Sequence, residues 1–327
     1  MKANSEILRE VENYIAQINI PVEPERLYSP IRYTLAEGGK RLRPMLTMLA
    51  NQIYCESTAD ALPVAVAIEV FHNFTLLHDD IMDNADTRRG KPSVYAKWGE
   101  NVAILSGDVM MILAYKLLSK AKAPMLPKVL EVFNEMAAEV CEGQQYDIDF
   151  ETQPKVSVTE YMHMIELKTS VLLGGATLIG AILGGAPSAD CAVLQRFATE
   201  LGLAFQLQDD LLDTYGDEKL GKMIGGDILE GKQTFLKIMA FSRADQPTRK
   251  ILASAHLDAT LSDEEKIAKV KGIYDSLDIK RATEQQIATK FERALSLLEG
   301  LVSSGAVEEE RVAPLREYAR GLMNREK

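Results

Sequence analysis

Two short stretches of the chain repeat one pattern of carboxylates. Asp79, Asp80 and Asp83 spell DDxxD after the apolar run FTLLH, and Asp209, Asp210 and Asp213 spell it again after LAFQLQ. On a helix, residues i and i+4 share a face and i+1 lies one step round it, so each triplet makes a small claw of acidic side chains. Like charges so placed repel by roughly a few tenths of a kcal/mol, and by more where neighbouring helices exclude water. A cation reverses the sign. Hard oxygen ligands that leave room for water and phosphate oxygens suit Mg2+, so two claws facing one cavity could hold several Mg2+ ions bridging to a polyphosphate. A single DDxxD is as often a solvated acidic helix end. Two copies on apolar helices, each trailed by cations, favour the metal reading. Calcium is disfavoured, because no glycine-punctuated twelve-residue ligand loop is present.

The cations sit where an anion would need them. Arg88, Arg89 and Lys91 follow the first claw, and Lys222 and Lys232 follow the second within GKMIGGDILEGKQT. An earlier loop, EGGKRLRP, sets Lys40, Arg41 and Arg43 behind two glycines, which lets backbone and side chains approach an anion together. Arginine offers phosphate a planar fork and lysine a mobile point charge. Lys168 and Thr169 close the amphipathic stretch YMHMIELKT, and Gln206 lies one turn before Asp210 on the same face. Taken alone, Lys168 reads equally as a snorkelling side chain. His72 and His78 flank the apolar run before the first claw, and no Ser-His-Asp or Cys-His grouping points to hydrolase or thiol chemistry.

Helices must position these groups. Apolar residues recur at three and four positions through most of the 327 residues, while two-residue alternation is not sustained, so an all-α protein is expected. Breaks fall near 19–30, 84–93, 121–127, 150–157, 184–190, 214–232 and 243–248, none long enough for an interdomain linker, and one domain over 1–327 is expected. Ile7, Leu8, Val11, Tyr14, Ile15 and Ile18 form the apolar face of an N-terminal amphipathic helix rather than a signal peptide. The uncharged stretch 171–186 falls short of the roughly 20 residues a membrane span needs and reads as a buried helix. A formal charge of −11 repels nucleic acid and anionic membranes, so any anionic ligand must be held locally. Cys55, Cys141 and Cys191 lie far apart without CxxC spacing, which fits buried free thiols in a reducing cytoplasm.

Taken together, GGKRLRP (38–44), HNFTLLHDDIMD (72–83), RRG (88–90), GQQYD (143–147), KT (168–169), FQLQDDLLD (205–213) and GKMIGGDILEGKQT (221–234) resemble the trans-isoprenyl diphosphate synthases, or polyprenyl synthetases. The pieces run in family order from about residue 28 to 240, and the last eighty or so residues match only as generic helices. The resemblance implies an all-α single-domain helical bundle around a central apolar cavity, usually a homodimer. It implies head-to-tail condensation of isopentenyl diphosphate with an allylic diphosphate (dimethylallyl, geranyl or farnesyl), with three Mg2+ ions once substrate is bound. By that analogy Asp79, Asp83 and Asp209 ligate Mg2+ most directly, with Asp80, Asp210 and Asp213 completing or supporting the shell. Arg88, Lys168, Thr169, Gln206, Lys222 and Lys232 would hold the allylic diphosphate, the catalytic contacts being Lys168, Thr169 and Gln206. Lys40, Arg43, His72 and Arg89 would hold isopentenyl diphosphate.

Chain length should be read below Asp79, where each helical turn descends about 5.4 Å, comparable to one isoprene unit. A helical wheel ranks Thr75 nearest to Asp79, then Phe71, with Phe74 further round, whereas the resemblance makes Phe74 the determinant. The two rankings differ. DDIMD lacks the two-residue insertion of bacterial farnesyl-type enzymes, and Phe74 followed by Thr75 is similar to the archaeal geranylgeranyl pattern, so a C15 to C20 product leaning to C20 is expected. Two rival classes use related parts. A catalytically silent partner subunit could lose a claw, whereas both are intact here, and a terpene cyclase or head-to-head synthase has no need of GGKRLRP.

Overall fold

The computed structural model describes residues 1–216 and 224–323. Its helices are α1 (Asn4–Ala16), α2 (Glu25–Ala36), α3 (Leu42–Tyr54), α4 (Leu62–Met82), α5 (Val94–Trp98), α6 (Glu100–Leu118), α7 (Leu126–Thr152), α8 (Val158–Ile165), α9 (Val171–Gly184), α10 (Ser188–Tyr215), α11 (Gly226–Glu230), α12 (Phe235–Arg243), α13 (Gln246–Ser254), α14 (Asp263–Ser276), α15 (Ile279–Ser303) and α16 (Glu309–Met323). Two compact units form. One comprises Met1–Glu135, Leu173–Gln195 and Leu298–Tyr318, and the other Met136–Leu172, Arg196–Leu297 and Ala319–Lys327.

In the first unit α4 is the central element. Val64 to Phe71 are buried without interruption, as befits a helix enclosed on all sides. It packs along α6 closely enough that a Cβ on Gly107 would come within 2.2 Å of His78 Nε2. Ile7, Val11 and Ile15 of α1 are buried as the amphipathic pattern requires. Between α4 and α5 the chain makes a minimal hairpin, β1 (Thr87–Arg88) against β2 (Lys91–Pro92), turned by Arg89 (φ 52°) and Gly90 (φ 74°). Two successive positive φ values are those of a type I′ turn, which glycine at the second place makes inexpensive. The hairpin falls in the break expected at 84–93, but its pairing was not foreseen, since two residues are too few to show alternation.

In the second unit Phe150, Tyr161, Ile165, Leu203, Leu207 and Phe235 form one core cluster, and Ile228, Leu236, Leu252, Val270 and Tyr274 form another. Helix α8 begins at a capping box between Ser157 and Glu160 and passes into a π-helical turn, Glu166–Ser170. Two glycines let neighbouring backbones reach that turn: a Cβ on Gly143 would meet Lys168 N at 2.2 Å, and one on Gly202 would meet Ser170 Cα at 2.8 Å. π-Turns interrupt the regular 3.6-residue progression and re-aim side chains, frequently at functional sites.

Two sequence expectations need correction. The apolar stretch at 171–186 continues backward through α8, so the helical run Val158–Gly184 reaches 27 residues. Glu100–Leu118 is likewise long and apolar enough to cross a membrane; 61% and 39% of their respective apolar windows are buried inside the protein. Burial, not insertion, accounts for the apolarity of most of the first. Of the three free cysteines only Cys191 is buried; Cys55 is half-buried and Cys141 exposed.

Candidate active site

The first unit draws three separated segments together. Asp79 and Asp80 lie in the last turn of α4, and Asp83 caps it in the exposed surface. Asp80 is buried, and its Oδ1 accepts from Arg88 Nε at 2.8 Å and Nη2 at 2.5 Å, while Arg88 Nη2 stands 3.5 Å from Asp79 Oδ2. Burial raises the Asp80 carboxyl, and the Arg88 fork opposes that rise. Asp80 therefore anchors the hairpin arginine, leaving Asp79 and Asp83 the more accessible carboxylates of this triplet.

The neighbouring turn residue Arg89 donates Nη1 to the Gly38 carbonyl at 3.0 Å, and its guanidinium lies 3.4 Å from where a Gly39 Cβ would stand. Gly39 thus leaves room for the arginine, while a side chain at Gly38 would meet nothing. Glu37 is buried beside it; burial lifts its carboxyl, and Arg89 and then Lys91 draw it back. Within the same loop Arg41 and Arg43 part roles. Arg41 is 3% exposed in a left-handed conformation (φ 46°), pairing with Glu12 at 2.8 Å and Glu69 at 3.0 Å and donating to the carbonyls of Leu35 and Glu37. Arg43 is pushed down to about 10, first by burial and also by Arg89, with Glu69 opposing. His72 is held well below the usual imidazole value by burial and then by Arg43, Arg89, Arg88 and Arg41, so it is neutral in ordinary buffer. Lys40 is exposed, and its carbonyl accepts from Tyr318 of α16 at 3.3 Å.

Below the claw, aromatic rings form a ladder. Phe71 is fully buried, 5.1 Å from Phe133, and Phe74 is half-buried, 5.6 Å from Phe71 and 4.7 Å from His78. Thr75 is half-buried and donates its hydroxyl proton to the His72 carbonyl at 2.8 Å.

The second unit assembles the remaining groups. Asp210 is buried at 5% exposure and saturated: Oδ2 accepts the Tyr161 hydroxyl and the Phe235 N–H (3.1 Å), and Oδ1 accepts Gln206 Nε2 at 3.1 Å. Phe235 is the first residue of α12, so this N–H is one that the helix leaves without an internal partner. Burial raises Asp210 to about 6 against the pull of these donors. Thr169 donates to Gln206 Oε1 at 3.0 Å, and Lys168 Nζ meets Asp147 Oδ2 at 2.6 Å. Asp213 accepts the Asp227 N–H at 3.1 Å. Asp209 is half-buried on the same helix, α10. Lys232 pairs with Glu230 at 3.0 Å. Lys222 lies outside the described residues.

Four participants were missed at the level of roles, though each lies inside a quoted motif: Arg41 in GGKRLRP, Asp147 in GQQYD, Tyr161 in YMHMIELKT and Asp227 in GGDILEGK. Asp227 is pushed up to about 7 by burial and then by Asp213 and Asp210, with Lys232 opposing. Three carboxyls crowded together at one end of α10 are a charge that a cation would relieve. Among the described residues no group of three or more His, Cys, Asp or Glu side chains could cage a metal ion by itself.

A helical chain with two aspartate-rich helix ends, the first gripped by Arg88 and the second beside Asp227 and Lys232, is the arrangement of an isoprenyl diphosphate synthase. A profile of the polyprenyl synthetase family matches residues 24–277, and the chain belongs to that family. It is 43% identical over 247 residues to the geranylgeranyl diphosphate synthase of Methanosarcina mazei, covering 72% of this chain and 76% of that one. It is 40% identical over 253 residues to the geranylfarnesyl diphosphate synthase of Natronomonas pharaonis, covering 71% and 74%. A crystal structure of a geranylgeranyl pyrophosphate synthase superposes with a TM-score of 0.93 at 41% identity, covering 100% of both chains.

Proposed function

We propose that this chain is a magnesium-dependent, short-chain trans-prenyltransferase that condenses isopentenyl diphosphate head-to-tail with an allylic diphosphate, giving geranylgeranyl diphosphate as its main product. One observation supports the reading: the loop at 37–43, His72, the first DDxxD and the hairpin arginines come together in one unit, with arginines gathered around a neutral histidine beside the carboxylates. The two units work as one catalytic domain, in keeping with a family profile that runs across both.

Lys40, Arg43, Arg89 and neutral His72 hold the diphosphate of isopentenyl diphosphate, His72 by hydrogen bonding rather than charge. Arg88, Lys168, Lys222 and Lys232 hold the allylic diphosphate, Lys168 leaving Asp147 as it engages phosphate. Asp79, Asp83 and Asp209 would hold magnesium most directly, with Asp80, Asp210 and Asp213, which are engaged by Arg88, by Tyr161, Gln206 and the Phe235 N–H, and by the Asp227 N–H, completing or supporting the shell. Magnesium held by these carboxylates, three ions with substrate in place, would supply positive charge to stabilise the leaving pyrophosphate. As the allylic C–O bond breaks, the oxygen dipoles of Thr169 and Gln206 face the carbocation, and the double bond of isopentenyl diphosphate attacks it. The proton then lost goes to the departed pyrophosphate.

Phe74 forms the floor for the growing tail, because Phe71 is already packed into the core behind it. The exposed apolar side chains Ile104, Leu105, Ile112 and Tyr115 on α6 support a homodimer formed through that helix. The three free thiols fit a reducing cytoplasm, and the formal charge of −11 weighs against nucleic acid or an anionic membrane surface as partner.

Incubation with isopentenyl and dimethylallyl diphosphates, with Mg2+ or with EDTA, tests the reading. Metal-dependent elongation to a prenyl diphosphate is expected. Hydrocarbon from an allylic diphosphate alone would indicate a cyclase, and no product under any condition a silent subunit; either result overturns the assignment.

A further inference from the structure

We propose that Tyr161 is a positioning residue that fixes the direction of the Thr169 hydroxyl through Asp210 and Gln206. The argument is one of donors and acceptors. An ionised carboxylate only accepts hydrogen bonds, so the Gln206 group facing Asp210 Oδ1 at 3.1 Å must be its NH2. With the nitrogen committed there, Oε1 points the other way, to Thr169 Oγ1 at 3.0 Å. An amide oxygen cannot donate, so the Thr169 proton is spent on it. The remaining capacity of the Thr169 hydroxyl is its lone pairs, the negative end of its dipole, which is the end a carbocation requires.

Tyr161 is the side chain that holds this order in place. Its hydroxyl and the Phe235 N–H fix Oδ2 of Asp210 from two directions, which settles the rotation of the carboxylate and hence the lone pair offered to Gln206. The tyrosine ring is 2% exposed, packs against Phe235 at a centroid distance of 6.4 Å, and stands on a helix started by the Ser157–Glu160 capping box. Without the hydroxyl, Oδ2 keeps only the Phe235 N–H, the Asp210 carboxylate is free to rotate about that bond, and the lone pair that Oδ1 offers to the Gln206 NH2 loses its fixed direction. The amide then swings with the carboxylate, and the Thr169 hydroxyl that follows its Oε1 no longer holds its lone pairs in one direction.

The inference rests on the reading of Thr169 as an allylic contact. Its test is a double-mutant cycle on the full-length enzyme with Mg2+, comparing wild type, Tyr161→Phe, Thr169→Val and the double variant for kcat and both KM values. Tyr161→Phe is expected to lower kcat roughly tenfold with both KM values within about twofold, and to cost almost nothing further in a Thr169→Val background. Losses that multiply in the double variant, or a change confined to KM, overturn the inference. A Thr169→Val enzyme of wild-type kcat instead removes its premise, the allylic role of Thr169, and is recognisable as that. If thermal melts show that Tyr161→Phe does not fold, 4-fluorophenylalanine placed at 161 fills the volume of the hydroxyl without donating. The same non-additivity is expected of it, and multiplicative losses again overturn the inference.

Discussion

Replacing Phe74 with alanine should lengthen the product by one isoprene unit and no more. Each turn of α4 descends about 5.4 Å, close to the length one unit adds to the tail. The Phe74 ring is 5.6 Å from that of Phe71, so removing it opens one such step before the next ring is reached. Phe71 stays where it is, because it is fully buried and braced by Phe133 at 5.1 Å. Core Phe→Ala changes cost about 3–5 kcal/mol; Phe74 is only half-buried, so its truncation should cost less and leave the enzyme folded. Mass spectrometry of products made from dimethylallyl and isopentenyl diphosphates reads the outcome, a geranylgeranyl product giving way to a C25 one. Phe71→Ala added to Phe74→Ala should release a further unit at the full core cost. An unchanged distribution in Phe74→Ala would remove that side chain as the floor, and a jump of several units would refute the ladder.

Three other outcomes follow from the same geometry. Arg41→Ala strands Glu69, which is 3% exposed, and should destabilise the protein by about 3–5 kcal/mol in urea titration; Arg41→Lys should not restore it, since one ammonium cannot reach both carboxylates and two carbonyls. A loss below about 1 kcal/mol would contradict the anchoring role. His72 has a folded pKa below its unfolded one, so below about pH 6.5 the unfolded chain binds the extra proton and stability falls on acidification until the folded pKa is reached. Across that window wild type should lose up to about 1.4 kcal/mol per pH unit more than His72→Gln, and parallel stability curves would refute the lowering of His72 by burial and then by the surrounding arginines. Leu105→Glu with Ile112→Glu, both on the exposed face of α6, should yield monomers by light scattering, whereas dimers that persist would place the interface elsewhere.

What the sequence exposed is what local geometry controls. The DDxxD spacing alone sets Asp79 near Asp83 on one face of α4 and Asp209 near Asp213 on α10, because 3.6 residues make a turn whatever surrounds the helix. The all-helical class and the buried faces of α1 and α9 follow from apolar patterning in the same way; the breaks, read from clusters of glycine, proline and short polar residues, hold less well, since α2 starts at Glu25 inside 19–30 and α11 lies inside 214–232. Cations within a few residues of an acidic motif were equally visible, and Arg88 does reach Asp80.

Contacts between segments far apart in the chain belong to tertiary structure, since packing and not spacing chooses them. No pattern near residue 210 announces that Tyr161 and the first N–H of α12 occupy its carboxylate, which turns one aspartate of the second motif into a brace. Nor does GGKRLRP tell Arg41 from Arg43, which fare differently two residues apart: one is paired directly with carboxylates, and the other is lowered by burial, with Glu69 easing and Arg89 opposing its charge. The wheel put Phe74 behind Thr75 and Phe71 because it counts only angle. The fold spent Phe71 on the core and the Thr75 hydroxyl on a backbone carbonyl, leaving Phe74 the half-buried aromatic of the three positions.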